Sequence, residues 1–219
     1  MGLFFGQNRG VVVPVYTAIK YGYLYNYYAI SNALFAPAGY HIPTYAEFVT
    51  LQSYLGGQSV AGGKMRNTSS TYWDNAYNGS NTSGFNAKGS GYRDPSSGGC
   101  YNKLQQTDFW CISASGTYGG VAWISFTGTG LYLNETRNKK YGDCVRPIKD
   151  DSNDNGYFTD IDGNTYPTVK IGNQVWAAEN YKCTKLRDGT PIPKVTDNTA
   201  WTALVTGAYC AYNNDENNV

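Results

Sequence analysis

The residue types that carry most enzyme chemistry are scarce in this chain. His41 is the only histidine, which excludes a histidine dyad for acid–base catalysis and a metal site built from several histidines. No glycosidase pattern frames the 16 acidic residues, and no phosphate-binding loop, nucleophile elbow or zinc-protease helix occurs. We therefore predict that the protein is not an enzyme, and that His41, which precedes a proline at the start of a predicted helix, is structural.

Two short acidic runs offer oxygen atoms at alternating positions, a pattern that suits Ca²⁺. They are Asp150–Gly156 and Asp160–Asn164, and their candidate ligands are Asp154, Asp160 and Asp162. Neither run has the distal bidentate glutamate of an EF-hand loop. We expect no cofactor, with Ca²⁺ at these turns as the alternative.

The five cysteines are odd in number and match no zinc-binding spacing. They are Cys100, Cys111, Cys144, Cys183 and Cys210. Cys100 and Cys111 are spaced to face each other across a hairpin, and the alternative is that all five are small buried thiols.

The composition favours recognition over catalysis. The chain has 21 tyrosines and 26 glycines, a mixture typical of loop-rich β structure and of binding surfaces. The alternative is that tyrosines fill half-buried strand positions. A charged content of 15% and a net charge of +1 indicate no nucleic-acid partner, and the lack of a long apolar run indicates no membrane partner.

The first helix has the clearest local signals. Thr44 fits a helix N-cap, Glu47 completes a capping box, and Gly56-Gly57 ends the helix. From residue 56 to residue 99 the chain is rich in Gly, Ser, Asn and Thr, which predicts a long loop region.

Strand signals dominate the rest of the chain. Residues 109–115 and 120–126 predict a strand pair whose second member is central, because both of its faces carry apolar residues. A polar turn over 134–142 follows. Beyond the linker 150–156, residues 157–171 predict a hairpin that turns at Asp162-Gly163.

The chain ends with a strand over 174–180 and a second helix through Trp201, which either Thr196 or Asp197 caps. At the other end, residues 11–16 predict an edge strand. The leader 1–20 is a candidate anchor or oligomer contact.

Several segments along the chain resemble one known family. They are Tyr21–Ala29, Ala36–Thr44, Ser83–Ala87, Phe109-Trp110, Val145–Asp150, Asp160–Tyr166 and Val169–Asn180. They resemble the Fibrobacter succinogenes major paralogous domain, and the resemblance implies a C-type-lectin-like fold. We therefore predict an α+β protein with short antiparallel strands, two short helices and long loops.

The order of these segments is reversed relative to the family. In members of the family, the portion that corresponds to 157–219 comes first in the chain, and the portion that corresponds to 21–150 follows it. We predict that residues 21–219 form one circularly permuted domain, which requires the old termini to lie close together. The alternative is that 157–219 completes the domain of a neighbouring subunit.

The permuted arrangement resembles virion or tail-associated proteins of Bacteroidota phages and prophages. This resemblance implies a virion protein for host-surface attachment, a homo-oligomer with a trimer as the favoured state. Its partners would be a host cell-surface glycan or protein and other virion proteins. The alternatives are a structural decoration protein without a ligand and an exported glycan-binding protein of the cell surface. Met1–Gly10 lacks signal-peptide features, which fits release by lysis.

The resemblance also implies where a ligand would bind, because long loops and the strands beneath them form the binding face of lectin-like domains. By this analogy we predict a ligand-binding set of Tyr72, Trp73, Tyr77, Tyr92, Arg93, Tyr101, Trp110, Tyr118 and Trp123. The alternative, favoured for Trp110 and Trp123, is that the tryptophans are core residues. The calcium motifs of sugar-binding C-type lectins are absent, as is the active-site cysteine pattern of the related formylglycine-generating enzymes.

Overall fold

A computed structural model describes residues 20–75, 78–112 and 118–219. The helices are α1 (Tyr27–Ile30), α2 (Tyr45–Tyr54), α3 (Gln58–Met65) and α4 (Asn198–Ala203). The strands are β1 (Leu24–Tyr25), β2 (Tyr40–His41), β3 (Ser90–Arg93), β4 (Cys100–Lys103), β5 (Gln106–Cys111), β6 (Gly119–Ser125), β7 (Tyr132–Arg137), β8 (Ile148–Lys149), β9 (Tyr157–Thr159), β10 (Thr165–Ile171), β11 (Gln174–Ala177) and β12 (Tyr209–Cys210). The fold is α+β and rich in strands, as predicted. The predicted strand at 11–16 and all but the last residue of the leader 1–20 lie outside the described residues.

The strands form two five-stranded sheets and one two-stranded pair. The first sheet has the order β4-β3-β5-β6-β7, in which only β3 and β5 are parallel neighbours. The second has the order β2-β8-β11-β10-β9 and is antiparallel throughout. β1 pairs with β12. The predicted pairing of 109–115 with 120–126 is confirmed as β5–β6 over the residues that the structure describes, and the hairpin at 157–171 is confirmed as β9–β10. β6 has a strand on each side in its sheet. The hairpin contact of Cys100 with Cys111 considered from the sequence does not occur, because Cys111 lies opposite Gly120.

Helix α2 starts and stops where its sequence signals lie. The backbone N–H of Glu47 donates to the Thr44 hydroxyl at 3.2 Å, and the Glu47 carboxylate accepts from the Thr44 N–H at 2.7 Å. Phe48 and Leu51 are buried in the core, and Gly56 takes a φ of +103° that ends the helix. The second predicted helix is α4, which Asp197 caps by accepting from the N–H of Ala200 at 2.7 Å.

The prediction of one long loop over 56–99 and of only two helices is wrong. The region contains α3 and β3, and α1 lies within the aromatic run that precedes α2. Gly62 and Gly63 lower the helix propensity of α3, but close packing requires them. A Cβ on Gly62 would lie 2.1 Å from the carbonyl oxygen of Gly130. Tertiary contact therefore overrides local propensity in this helix.

Three buried arginines hold irregular segments in place. Each guanidinium lies between 4.3 and 4.7 Å from the centre of an aromatic ring and donates hydrogen bonds to backbone carbonyls. Because loop carbonyls lack ladder partners, such donors satisfy groups that would otherwise be buried without a hydrogen bond. The pairs are Arg66 on Trp73, Arg93 on Trp201 and Arg146 on Phe85.

The segment 157–219 is built into the same sheets as the rest of the chain. β11 pairs with β8 at Trp176 and Ile148, so the tail supplies three strands of the second sheet. A buried ion pair joins Lys88 to Glu179 at 2.7 Å. The ends of the described chain also meet, because the N–H of Tyr21 donates to the Asn218 carbonyl at 3.0 Å.

His41 links three elements, as expected of a structural residue. Its Nε2 lies 2.8 Å from a Glu47 carboxylate oxygen on α2, and its Nδ1 lies 2.7 Å from Asp150. The hydrogen bond with Glu47 raises the pKa of His41, and Asp150 adds to the shift.

No helix among the described residues is long and apolar enough to cross a membrane.

Candidate functional site

An open cleft of about 420 Å³ lies on the outer face of the first sheet. Its floor comes from β5 and β6, and its wall comes from β7 and the turn that follows. Amides, a hydroxyl, one guanidinium and two aromatic rings line it. The lining residues are Gln106, Val121, Trp123, Asn134, Thr136, Arg137, Asn138 and Tyr141.

The register of β5, β6 and β7 explains which side chains reach this face. Asp108 lies opposite Trp123, which in turn lies opposite Tyr132. Successive side chains of a strand point to opposite faces of the sheet. The residues next to these three on their strands therefore form a second row, whose side chains point inward. That row consists of Phe109, Ala122 and Leu133, which pack in the hydrophobic core.

Aromatic rings form a strip along the cleft. The Trp123 ring stacks on Tyr132 with centroids 4.3 Å apart and an angle of 22° between the planes. Tyr141 and Tyr92 lie 5.7 Å apart at the other side, and Tyr101 continues the strip 6.3 Å beyond Tyr92. Flat apolar rings beside amides and hydroxyls provide the chemistry that contacts both faces and edges of a polar ring ligand.

A buried charge cluster lies beneath the cleft. Arg137 donates from Nε and Nη2 to the two carboxylate oxygens of Asp143 at 3.0 and 2.8 Å, and Nη2 also donates to Asp108. Its guanidinium carbon lies 3.5 Å from the Tyr141 ring centre, which fixes the wall of the cleft. Gln106 donates to the other oxygen of Asp108 at 2.7 Å.

Burial raises the pKa of Asp108 to about 7, although Arg137 opposes the shift. Burial also raises the pKa of Asp143, again against the attraction of Arg137. Both carboxylates are 0% exposed. Their place is therefore below the surface, where they orient Arg137 and do not contact a ligand directly.

The structure brings a minority of the predicted binding residues to this cleft. Trp123 lines it, while Tyr92 and Tyr101 extend its aromatic strip. Tyr118 is 47% exposed and immediately precedes β6. Tyr72 lies elsewhere, in edge contact with Tyr21 at 5.7 Å. Tyr77 lies outside the described residues.

Three predicted binding residues lie in the core. This confirms the core alternative for Trp73 and Trp110 and corrects the assignment of Arg93. Trp73 and Trp110 are 0% exposed, and their indole N–H groups donate to the carbonyls of Ala87 at 3.0 Å and Tyr25 at 2.6 Å. Arg93 is also 0% exposed and donates to backbone carbonyls around the start of α4. None of the three has a face left for a ligand.

The three candidate calcium ligands bond to other groups of the protein: Asp154 and Asp160 within their own turns, and Asp162 with a later segment of the chain. Asp154 accepts from the N–H of Gly156, and Asp160 accepts from the N–H groups of Asp162 and Asn164. Asp162 accepts from Thr184 and pairs with a lysine. No group of three or more His, Cys, Asp or Glu side chains that could hold a metal occurs in the described parts of the chain.

The sequence interpretation missed most of the cleft wall. It assigned residues 134–142 to a polar turn, whereas β7 continues to Arg137. A signal for this strand was present in the sequence. Tyr132, Asn134 and Thr136 occupy every second position, so a strand here would place all three side chains on one face. The position of Arg137 over two buried carboxylates had no sequence signal, since Asp108 and Asp143 are distant in the chain.

Comparison with known protein families gives one match. Residues 15–157 match the model of the Fibrobacter succinogenes major domain. The matched range contains the cleft and ends where β9 begins. Searches of curated proteins and of solved structures gave no match.

Proposed function

This chain belongs to the Fibrobacter succinogenes major domain family, and from that premise we propose that it is a phage virion protein that attaches to the host surface. The proposal is of a binding module without catalytic activity or a resident cofactor. Its ligand is a glycan of the host surface, held in the cleft above β5, β6 and β7. The observation that carries it is the Trp123–Tyr132 stack beside the polar side chains of an open cleft.

The proposed fold is C-type-lectin-like and circularly permuted. Support comes from the mixture of short strands, short helices and long connections, and from the contact between Tyr21 and Asn218. The tail supplies β12 to pair with β1 and β11 to pair with β8. If residues 21–150 and 157–219 form one circularly permuted domain, their strands must pair with each other in this way.

The chemistry of the cleft favours a neutral sugar. A sugar ring offers an apolar face that packs on an aromatic plane, and hydroxyl groups that exchange hydrogen bonds with amides. Gln106 and Asn138 supply amides to the lining, and Thr136 supplies a hydroxyl. Two buried carboxylates against one guanidinium leave no excess positive charge to attract an acidic sugar.

The test is binding of the labelled protein to a panel of Bacteroidota cells, and of purified surface glycans, with Ca²⁺ and with a chelator. The variant is Trp123→Ala, which removes the aromatic plane and should weaken binding about tenfold or more, since truncation of an aromatic hot spot costs about 2 kcal/mol or more and each 1.4 kcal/mol is about tenfold in affinity. The matched control is Tyr54→Ala, which removes an aromatic side chain 66% exposed on α2. Circular dichroism confirms that both variants fold.

Selective binding that Trp123→Ala loses and Tyr54→Ala keeps would support the proposal. Loss of binding in chelator would add a Ca²⁺ requirement. Folded protein that binds no cell and no glycan would overturn attachment and favour the decoration protein. Binding to glycans by protein found on the cell surface and not on particles would favour the exported glycan-binding protein. Light scattering on the purified protein tests the proposed homo-oligomer, for which we favour a trimer.

A further inference from the structure

The amide of Gln106 has a fixed orientation in the cleft. Its Nε2 donates to Oδ1 of Asp108 at 2.7 Å. Because an ionised carboxylate only accepts hydrogen bonds, this bond decides which end of the amide faces the buried charge cluster. Oε1 of Gln106 is turned away from Asp108 and is left as an acceptor. Nδ2 of Asn102 lies 3.4 Å from this oxygen, and a second lone pair remains for a ligand.

Arg137 places a donor beside this acceptor. Its Nε and Nη2 donate to Asp143 and Asp108. In the part of the chain that the structure describes, Nη1 donates to no protein group, and it is not a buried atom without a partner. It is therefore open to the cleft that Arg137 lines. Since Gln106 binds one oxygen of Asp108 and Arg137 binds the other, the acceptor and the donor lie on two sides of one carboxylate.

The asparagines of the lining add further donors. Oδ1 of Asn134 accepts from the N–H and the hydroxyl of Thr136 at 2.5 and 2.6 Å. Oδ1 of Asn138 accepts from the N–H of Lys140 at 3.0 Å. These bonds leave the Nδ2 group of each asparagine for a ligand. The cleft thus presents mainly N–H donors, and it suits a ligand that carries a strong acceptor such as a carbonyl oxygen.

We propose that the ligand is a glycan that presents an N-acetylated amino sugar, and that the acetamido group of this sugar bridges Gln106 and Arg137. This inference rests on the proposed function and names the class of sugar. The C=O and N–H of a trans amide point in opposite directions, so the group needs a donor on one side and an acceptor on the other. Arg137 Nη1 donates to the carbonyl oxygen, and Gln106 Oε1 accepts from the N–H. The methyl group packs on the aromatic strip.

Sugars without an acetamido group match this arrangement less well. A hydroxyl group in its place offers no carbonyl oxygen to the guanidinium, and charge-assisted hydrogen bonds are the stronger ones. A free amino group also lacks the carbonyl, and its ammonium form only donates. The ligand should therefore be recognised by its acetyl group as well as by its ring.

The experiment titrates the full-length protein with the methyl glycosides of N-acetylglucosamine and N-acetylgalactosamine. The same hexoses with a hydroxyl or a free amino group on the second carbon serve as comparisons. The titrations are run at about pH 8, where Asp108, with a pKa of about 7, is ionised. An acetamido sugar should bind about tenfold or more tighter than its hydroxyl counterpart, because a hydrogen bond to a charged group contributes about this much. Saturation-transfer NMR should show the acetyl methyl protons in close contact with the protein.

A matched pair of variants tests the role of Gln106. Gln106→Leu removes the acceptor and should reduce the preference for the acetamido sugar about fivefold. Gln105→Leu makes the same change one position earlier, at an exposed side chain that donates to Asp74 at 2.9 Å, and should keep the preference. Circular dichroism confirms that both variants fold.

The outcomes separate this inference from the proposed function. Equal or tighter binding of the hydroxyl sugars, or no binding of the acetamido sugars by protein that does bind cells, would overturn the inference alone. Folded protein that binds neither cells nor any glycan would overturn both. An unchanged preference in folded Gln106→Leu would overturn the bridge between Gln106 and Arg137.

Discussion

At the scale of residues, the cluster of Asp108, Asp143 and Arg137 sets the charge beneath the cleft. With both carboxylates ionised, one negative charge has no partner in a region shielded from water. Burial disfavours that state and raises both carboxyl pKa values. The pair therefore retains a proton up to about neutral pH, and the titration belongs to the pair and not to one residue alone.

This cluster makes stability depend on pH between about 4 and 7, the ordinary and the folded pKa of Asp108. A carboxyl whose pKa is raised in the folded state binds its proton more tightly there than in the unfolded state. Its contribution to stability is complete below its ordinary pKa of about 4 and is lost as pH rises through the folded value. We expect the melting temperature to fall as pH rises from about 4 to 7 and to level off above it, and Asp108→Asn, which cannot ionise, to flatten that slope.

The control for this prediction is Asp94→Asn. Hydrogen bonds from Ser96 and Ser97 outweigh desolvation and lower the pKa of Asp94, so its contribution is lost only as pH falls below about 4. Its substitution should leave the slope between about pH 5 and 7 unchanged. A slope that persists in Asp108→Asn would show that another group titrates there.

At the scale of elements, α3 depends on the absence of a side chain at Gly62. A Cβ there would lie 2.1 Å from the Gly130 carbonyl oxygen and 2.5 Å from its carbon. Gly62→Ala should therefore lower the free energy of unfolding by about 1–3 kcal/mol, even after the gain in helix propensity of about 1 kcal/mol. Urea denaturation measures the change. Ser59→Ala, on an exposed position of the same helix, should be neutral or slightly stabilising, and equal stability of Gly62→Ala and the parent would disprove the close contact.

The same contact explains what the sequence could and could not predict about the elements. α2, α4 and the 157–171 hairpin were predictable because their signals are local: a capping box, an Asp cap and an Asp-Gly turn. α3 was not predictable, because a glycine such as Gly62 normally indicates a loop. The reason for a glycine in this helix is its close contact with Gly130, which the sequence does not show. Local propensity is a weak guide wherever tertiary contact decides.

Some residues of the candidate site could likewise be proposed from the sequence, and others could not. Trp123, Tyr92 and Tyr101 were all proposed by analogy with lectin-like domains, and the structure places them in or beside the cleft, although a core role was favoured for Trp123. Arg93 was misassigned because its residue type suits a binding surface as well as a buried hydrogen-bond network, whereas the core role favoured for Trp110 is confirmed. Only the partners distinguish the two roles, since Arg93 donates to carbonyls at residues 195–197, about a hundred positions along the chain.

At the scale of the whole molecule, the two portions of the chain depend on each other. Arg146 donates to Asn180 at 2.5 Å and to the Ala177 carbonyl at 2.9 Å, both in the tail. Lys88 and Glu179 form a second buried link. Removing one partner of such a link leaves a buried charge without compensation. Neither portion therefore has a complete core alone, whichever portion comes first in the chain.

This dependence leads to a prediction about chain order. The Asn218 carbonyl accepts from the N–H of Tyr21, so a linker of about three to five residues can join residue 219 to residue 20. A reordered chain that runs 157–219, linker, 20–150 should fold and bind cells as the parent does, because the new break replaces only the exposed linker. The control carries the same linker but opens between Ala122 and Trp123, inside the central strand β6, and should not fold. Melting curves and cell binding compare the chains. A reordered chain that fails to fold while the parent folds would argue against a permuted domain, since the order of the portions would then matter beyond the contacts they make.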